Sequence, residues 1–226
     1  MHELIIKARE GNRNLLEHEA MMLFKHYGLP TPEYELVRSK EQAAAAAEEI
    51  GFPVVLKVVS QDIIHKTDVG GVKIGLSSKQ DVEKAYEAVM DSVYKNVPSA
   101  RIEGMLIVEQ AQKGTECILG MVKDKQFGPA LMFGLGGVFV EVLKDVSFRV
   151  LPLTQTDALE MIKDTKAYKV LSGVRGEPAK DIRALSEAIL SLAKLVEQNP
   201  SIKEIDVNPV IVYEKGVKVL DARVII

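Results

Sequence analysis

Apolar positions recur at three- and four-residue intervals in the first part of the chain. Leu16, Ala20, Leu23, Phe24 and Tyr27 make one stripe, which predicts a helix over 14–27, the first of the chain, closed by Gly28 and Pro30. Ser39 with Gln42 resembles a capping box ahead of an alanine-rich run that Gly51 and Pro53 end. A strand follows at Val54–Val59, then a loop over 60–71, a short strand over 72–76, and a helix from Ser78 whose Val82, Ala85, Tyr86, Val89 and Val93 share a face. From Met105 the texture turns β-rich, with segments 105–111, 116–123, 129–133, 138–143 and 147–151 parted by glycines and charged turns. Thr154 with Asp157 caps a short helix, and Pro178 suits the first turn of a longer one reaching about residue 197. The stretch 166–177, holding Gly173 and Gly176, reads as a mobile surface loop, and strands 203–213 and 217–225 close the chain. The pattern predicts an α+β fold, one domain of two lobes over 1–104 and 105–226.

Composition narrows the chemistry. At 226 residues and 47% hydrophobic, the chain can bury a sizeable core. Its 29 basic and 32 acidic residues leave a net charge of −3, so no positive excess marks it for nucleic acid. An aromatic content of 5% without Trp argues against a base-stacking platform or a carbohydrate cleft. Cys117 is the only thiol, which excludes an intrachain disulfide; its apolar setting reads as a buried strand residue in a reducing compartment. The run Met1 to Lys7 lacks an apolar core, and no apolar stretch nears the ~18 residues of a membrane span. A cytoplasmic protein with no membrane partner is expected.

Three constellations stand out against that background. Lys57 interrupts the strand Val54-Val55-Leu56-Lys57-Val58-Val59, where a cation is costly unless an anion offsets it or the strand face is solvated. The following loop, His65-Lys66-Thr67-Asp68-Val69-Gly70-Gly71-Val72-Lys73, combines cations, a hydroxyl and glycines whose backbone amides can cradle phosphates; an ordinary β-turn is the alternative. Near the end, Glu204-Ile205-Asp206-Val207-Asn208 alternates, putting Asp206 and Asn208 on one face. A two- or four-residue turn near Glu214-Lys215 sets Asn208 opposite Asp221 and Asp206 opposite Arg223. An Asn and an Asp converging there suit Mg2+ when phosphates and waters complete its shell; a polar outer hairpin face is the other reading. Met105 to Ala111 lies where the lobes should meet, so its backbone is placed to read a base edge, with Glu109 and Glu116 as solvated residues or as ligands of amino and ribose groups. The glycine-rich Phe133 to Glu141 does not match a dinucleotide fingerprint.

Taken in order, His18-Glu19, Tyr27 to Pro32, the strand with Lys57, the run His65 to Lys73, Val108-Glu109, Asp206-Val207-Asn208-Pro209 and Leu220-Asp221-Ala222-Arg223 resemble the ATP-grasp family. More narrowly, the chain is similar to the ATP-grasp β subunits of ADP-forming acetyl-CoA synthetases, relatives of the succinyl-CoA synthetase β subunit. It departs from the latter in lacking a C-terminal β-subunit domain after Arg223 and in carrying His65 where that phosphate loop is glycine-rich.

The resemblance implies two lobes with ATP or ADP bound between them. It implies that Lys57 contacts the phosphates and that His65, Lys66, Thr67, Gly70, Gly71 and Val72 cover them. Glu109, Gln110, Ala111 and Glu116 would hold adenosine, and Asn208, Asp221 and Asp206 would hold Mg2+. His65, oriented by Asp68, would relay a phosphoryl group; the other three histidines lie in or before the first predicted helix. The partner implied is a CoA-binding α subunit with its own phosphohistidine, in an α2β2 heterotetramer. A stand-alone carboxylate–amine ligase and a non-catalytic regulatory ATP-grasp module are the alternatives. The first needs a substrate lobe for which the chain has little room, and the second needs no nucleophile at position 65.

Overall fold

The structure, a computed structural model, describes every residue of the chain except 138–144, 175 and 177. The helices are α1 (Glu3–Glu10), α2 (Glu17–His26), α3 (Lys40–Ile50), α4 (Lys79–Asn96), α5 (Gln155–Lys163), α6 (Ala167–Leu171) and α7 (Ile182–Gln198). The strands are β1 (Tyr34–Val37), β2 (Val54–Ser60), β3 (Val72–Leu76), β4 (Ile102–Glu109), β5 (Thr115–Asp124), β6 (Gly128–Leu135), β7 (Val146–Val150), β8 (Glu204–Val212), β9 (Val217–Val219) and β10 (Arg223–Ile225). They form two compact units, one of residues 32–111 and one of residues 1–31 with 112–226.

In the smaller unit the strands run β1-β4-β2-β3, every neighbour antiparallel. Alternation on β2 sends Val54, Leu56 and Val58 into a core shared with Met105 and Ile107 of β4, Ala43, Ala46 and Ala47 of α3, and Val82, Val89 and Val93 of α4. Alanines on the inner stripe of α3 let it approach α4 and β4 closely. Ser39 caps α3 by accepting from Gln42 N–H at 3.2 Å, but the Gln42 side chain accepts from Arg38 N–H at 2.8 Å, one residue short of a reciprocal box. Ser78 caps α4 in the same way, accepting from Asp81 N–H at 3.2 Å.

In the larger unit the sheet runs β10-β8-β5-β6-β7, with β9 also on β8. Its buried face holds Cys117, Leu119, Met121, Ile205 and Val207, and α5, α6 and α7 pack on the sheet. The stripe Leu185, Ile189, Leu192 and Val196 is wholly or almost wholly buried, and each such side chain contributes about 1.5–3 kcal/mol. Thr154 and Asp157 form the expected box at α5: the Thr154 hydroxyl accepts from Asp157 N–H at 3.2 Å and the Asp157 carboxylate from Thr154 N–H at 2.8 Å.

Several expectations need correction. A division at residue 104 would cut β4, which pairs with both β1 (Leu36 opposite Leu106) and β2 (Leu56 opposite Ile107) and so belongs wholly to the smaller unit. The helices before residue 32 join the larger unit instead: Leu15 N–H donates to the Val224 carbonyl, and Asn199 donates to the Tyr27 hydroxyl. The helix read as the chain's first is preceded by α1, which buries only Ile5 and Ala8. Part of the expected loop 166–177 is α6, held down by buried Ala167 and Leu171 four residues apart. Pro178 lies outside α7, whose cap is Asp181. The closing strand 217–225 divides into β9 and β10, and the segment expected as a strand over 138–143 lies outside the described residues.

Candidate active site

In the smaller unit, β2 carries Lys57 and leads into the loop that carries His65. Lys57 pairs with Val72 on one side and Leu106 on the other, on the face opposite the helix-covered core. Past Ser60 the chain leaves the sheet and returns at Val72. Within this loop, Asp68 N–H donates to the His65 carbonyl at 3.3 Å, Gly70 N–H to Thr67 at 3.0 Å and Gly71 N–H to Lys66 at 2.7 Å, so a compact turn forms under His65. Both glycines are sterically required. Gly70 has φ +68° and a Cβ there would lie 2.4 Å from Ser92 Oγ; a Cβ on Gly71 would lie 2.6 Å from Val58 Cγ1. Among the described residues the His65 imidazole is exposed and makes no hydrogen bond. The expected orientation by Asp68 is absent: the two residues meet only through the backbone.

The residues expected to hold adenosine are differently placed. Glu109 stands opposite Val54, so its side chain projects to the helix-covered face and not to the face of Lys57. There its carboxylate accepts from Glu33 N–H at 3.3 Å. Gln110 is engaged as well: its N–H donates to the Pro53 carbonyl at 3.2 Å, and its side-chain oxygen accepts from Gly75 N–H at 2.6 Å. What this strand end can offer a base edge is therefore backbone near Ala111 more than the Glu109 and Gln110 side chains. From Val54, beside Glu109, to Ser60 β2 rises roughly 20 Å, with Lys57 midway. That is the scale of a nucleotide extended from base to terminal phosphate.

In the larger unit the predicted register holds on both sides of the acidic face. Asp206 pairs with Arg223, and Val210 with Val219, which brings Asn208 and Asp221 level between them. Alternation keeps Asp206 and Asn208 on one side of β8, and the pairing of Gly120 with Asp206 places Glu116, two alternations away on β5, on the same face. Glu116 also borders a glycine turn: its carbonyl accepts from Gly136 N–H at 2.8 Å, and a Cβ on Gly137 would lie 3.6 Å from its carboxylate. The Asp206 carboxyl is pushed above the ordinary aspartate range, first by desolvation, then by the charges of Asp221 and Glu204, with Arg223 opposing. Among the described residues no three His, Cys, Asp or Glu side chains gather closely enough to hold a metal by themselves. Asp206 and Asp221, with Asn208 level with the latter, offer hard oxygens of the kind a divalent cation takes when phosphate and water oxygens complete its shell. Asp221 also accepts from Ala222 N–H at 2.8 Å, which orients its carboxylate.

Cys117 is buried in β5 as expected, and burial raises its thiol to about 12, so it stays protonated and inert. No helix among the described residues is long and apolar enough to cross a membrane. The groups that fasten the His65 loop, Asp62 with Arg101 and Val69 with Ser92, leave no sequence signal, because each pairing joins residues far apart in the chain.

The arrangement is that of a known class. Residues 7–226 match the ATP-grasp domain family, and the chain belongs to it. It is 48% identical over 224 residues to the beta subunit of acetate–CoA ligase [ADP-forming] I of Pyrococcus furiosus, across 99% of this chain and 97% of that one. The name of that relative implies a partner subunit there. Among solved structures, the dinucleotide forming acetyl-coenzyme A synthetase 1 of Ca. Korarchaeum cryptofilum, in complex with coenzyme A, Ca-AMPCP and HgCl+, matches with a TM-score of 0.97 and 51% identity, over 99% of this chain and 98% of that one. Its selenomethionine derivative with coenzyme A and Mg-AMPPCP, the phosphohistidine segment pointing towards the nucleotide binding site, matches with a TM-score of 0.88 and 47% identity, over 99% and 98%.

Proposed function

We propose that this chain is the nucleotide-binding β subunit of a cytoplasmic ADP-forming acid–CoA ligase. It passes a phosphoryl group between a phosphohistidine of a CoA-binding α subunit and ADP, in an α2β2 assembly. The overall reaction takes acyl-CoA, ADP and phosphate to acid, ATP and CoA, reversibly. Lys57, with the Lys66 and Thr67 side chains of the loop, binds the phosphates, the backbone ending at Ala111 reads the base, and Glu116 holds the ribose. The Gly70 and Gly71 amides serve the turn itself, since both donate within it. Asn208, Asp221 and Asp206 hold Mg2+, which offsets phosphate charge when bound.

The observation that carries this reading is His65: an exposed imidazole with no hydrogen-bond partner among the described residues, on a turn past the far end of the strand that bears Lys57. In the relay a lone pair on a ring nitrogen attacks the phosphorus of the partner's phosphohistidine. One P–N bond forms as the other breaks. A terminal oxygen of ADP then attacks the phosphorus on His65, the second P–N bond breaks, and neutral imidazole returns. The neutral form of an imidazole supplies that lone pair from a ring nitrogen without a dedicated base.

The test uses the chain assembled with its co-expressed partner and ATP labelled at the γ-phosphate. His65 should acquire acid-labile, base-stable phosphate. His65→Ala should lose that label and all turnover while binding ADP as wild type does. An assembled wild type that turns over without ever carrying phosphate at His65 defeats the relay.

A further inference from the structure

The loop that carries His65 is fastened on both sides of the histidine by side chains from elsewhere in the smaller unit. On the leading side, Asp62 takes three hydrogen bonds from Arg101: from its N–H at 2.8 Å, from Nε at 3.2 Å and from Nη2 at 3.1 Å. A backbone donor plus a planar fork fixes the carboxylate in position and direction, which a single ion pair would not do. Asp62 N–H donates in turn to Ser60 Oγ at 3.0 Å, and the next residue, Ile63, is buried in the core. On the trailing side, the Val69 carbonyl accepts from Ser92 Oγ at 2.9 Å and from Asn96 Nδ2 at 3.4 Å, both on α4. Gly71 then accepts from Val58 N–H at 2.8 Å, which returns the loop to β2. Between these attachments only 64–68 are left, and within them the His65, Lys66 and Thr67 carbonyls each accept a turn hydrogen bond, from Asp68, Gly71 and Gly70 N–H.

The His65 side chain therefore stands on a turn fastened on both sides, although the imidazole itself makes no hydrogen bond among the described residues. We infer that Asp62, Arg101 and Ser92 are positioning residues for phosphoryl transfer: they hold His65 at a fixed station, so that the donor and acceptor phosphates travel to it. This rests on the relay proposed above. None of the three is asked to touch substrate. Their effect should appear in the rate at which His65 is phosphorylated and not in the affinity for nucleotide, because in-line attack tolerates little displacement of the reacting nitrogen.

The test compares Arg101→Ala, Arg101→Lys and Ser92→Ala in the assembled enzyme. Arg101→Lys keeps the charge and loses the fork, and Ser92→Ala removes one hydroxyl without opening the core. Four quantities are read: ADP affinity, the single-turnover rate of label transfer to His65, amide hydrogen exchange across 62–71, and melting temperature. Each variant should slow labelling roughly 10- to 100-fold. ADP affinity should stay within about twofold, and exchange should quicken in the loop alone. Labelling within twofold of wild type in all three variants would overturn the positioning role. So would a loss of labelling matched by an equal loss of ADP binding or by global melting. A wild type that turns over with no phosphate on His65 would instead remove the relay, and this inference with it; the two failures are distinguished by the wild-type label.

Discussion

The loop over 60–71 and the acidic face of β8 to β10 solve opposite problems. The loop ties down its backbone on both sides and, among the described residues, leaves its imidazole without a hydrogen bond, whereas on the acidic face desolvation and then the charges of Asp221 and Glu204 raise the Asp206 carboxyl, with Arg223 opposing. A group that must accept and surrender a phosphoryl should be held in place without being consumed by a local partner. The cation site proposed above does the reverse: like charges are brought together there, and a bound divalent ion would relieve their repulsion. One region is organised by geometry and the other by charge, so substitutions in them should fail in different ways.

The charge-organised region should give the larger loss. Asn208→Ala and Asp221→Ala each remove an oxygen donor from a polar face and not from the core, since Asn208 is exposed and Asp221 half-buried. Turnover at limiting Mg2+ should fall on the order of 100-fold or more, with melting temperature little changed. Near-normal turnover of either variant in a magnesium titration would remove the metal assignment.

Lys57→Met sharpens the comparison from the phosphate side. The substitution keeps the apolar stem on the β2 face and deletes one charge-assisted contact, worth about 1.5–3 kcal/mol. ADP affinity, by calorimetry, should weaken roughly 10- to 150-fold. An unchanged affinity would count against a phosphate role for Lys57.

A third substitution separates chemistry from scaffold. Asp181 caps α7 by accepting from Ala184 N–H at 2.9 Å and also accepts from Gly216 N–H at 2.8 Å, so it joins the helix to the turn between β8 and β9. These two backbone donors hold its carboxyl below the ordinary aspartate range. A depressed folded pKa means the stabilisation is complete above the unfolded value of about 3.9 and disappears as pH falls through the lower folded value. Asp181→Ala should cost about 1–2 kcal/mol at pH 7, a drop of roughly 2–8 °C in melting temperature. The gap from wild type should close below pH 4, with ADP affinity unaffected throughout. A gap that widened on acidification would contradict the assigned hydrogen bonds.

Much of the acidic face was readable from the chain because two local rules determine it. Period-two alternation puts Asp206 and Asn208 on one side, and a short turn fixes which residues of the returning strand lie opposite. The loop is readable as composition, but neither the close approaches at its glycines nor its fastening is. Arg101 reaches Asp62 across 39 positions and Ser92 reaches Val69 across 23, and no periodicity encodes such pairings. The same limit explains the misplaced lobe boundary, since only nonlocal pairing shows that β4 is a central strand of the smaller sheet. The Glu109 side chain was assigned to adenosine from its place near a hinge; its direction depends on the parity of β4 against β2, which the pairing with Val54 fixes. Helices α1 and α6 escaped notice because each offers only two buried positions, too few to distinguish a periodic stripe from chance.

The smallest effect tests the charge argument most directly, because it predicts a gain. With Asp206 raised by desolvation and by its acidic neighbours, its ionised form is disfavoured in the folded state. The resulting penalty is absent below the unfolded pKa of about 3.9 and complete above the raised folded value. At pH 7 with Mg2+ chelated, Asp206→Asn removes that repulsion and keeps an oxygen of similar reach. Because Asp206 is more than a third exposed, solvent screens most of the interaction. The melting temperature should rise by only about 1–2 °C. Saturating Mg2+ with ADP should reverse the order: the wild type gains stability from a bound cation, and the variant, with a weaker donor, gains less. A variant less stable than wild type in chelator at pH 7 would show that Asp206 is a structural residue of the β8–β10 ladder and not part of a cation site.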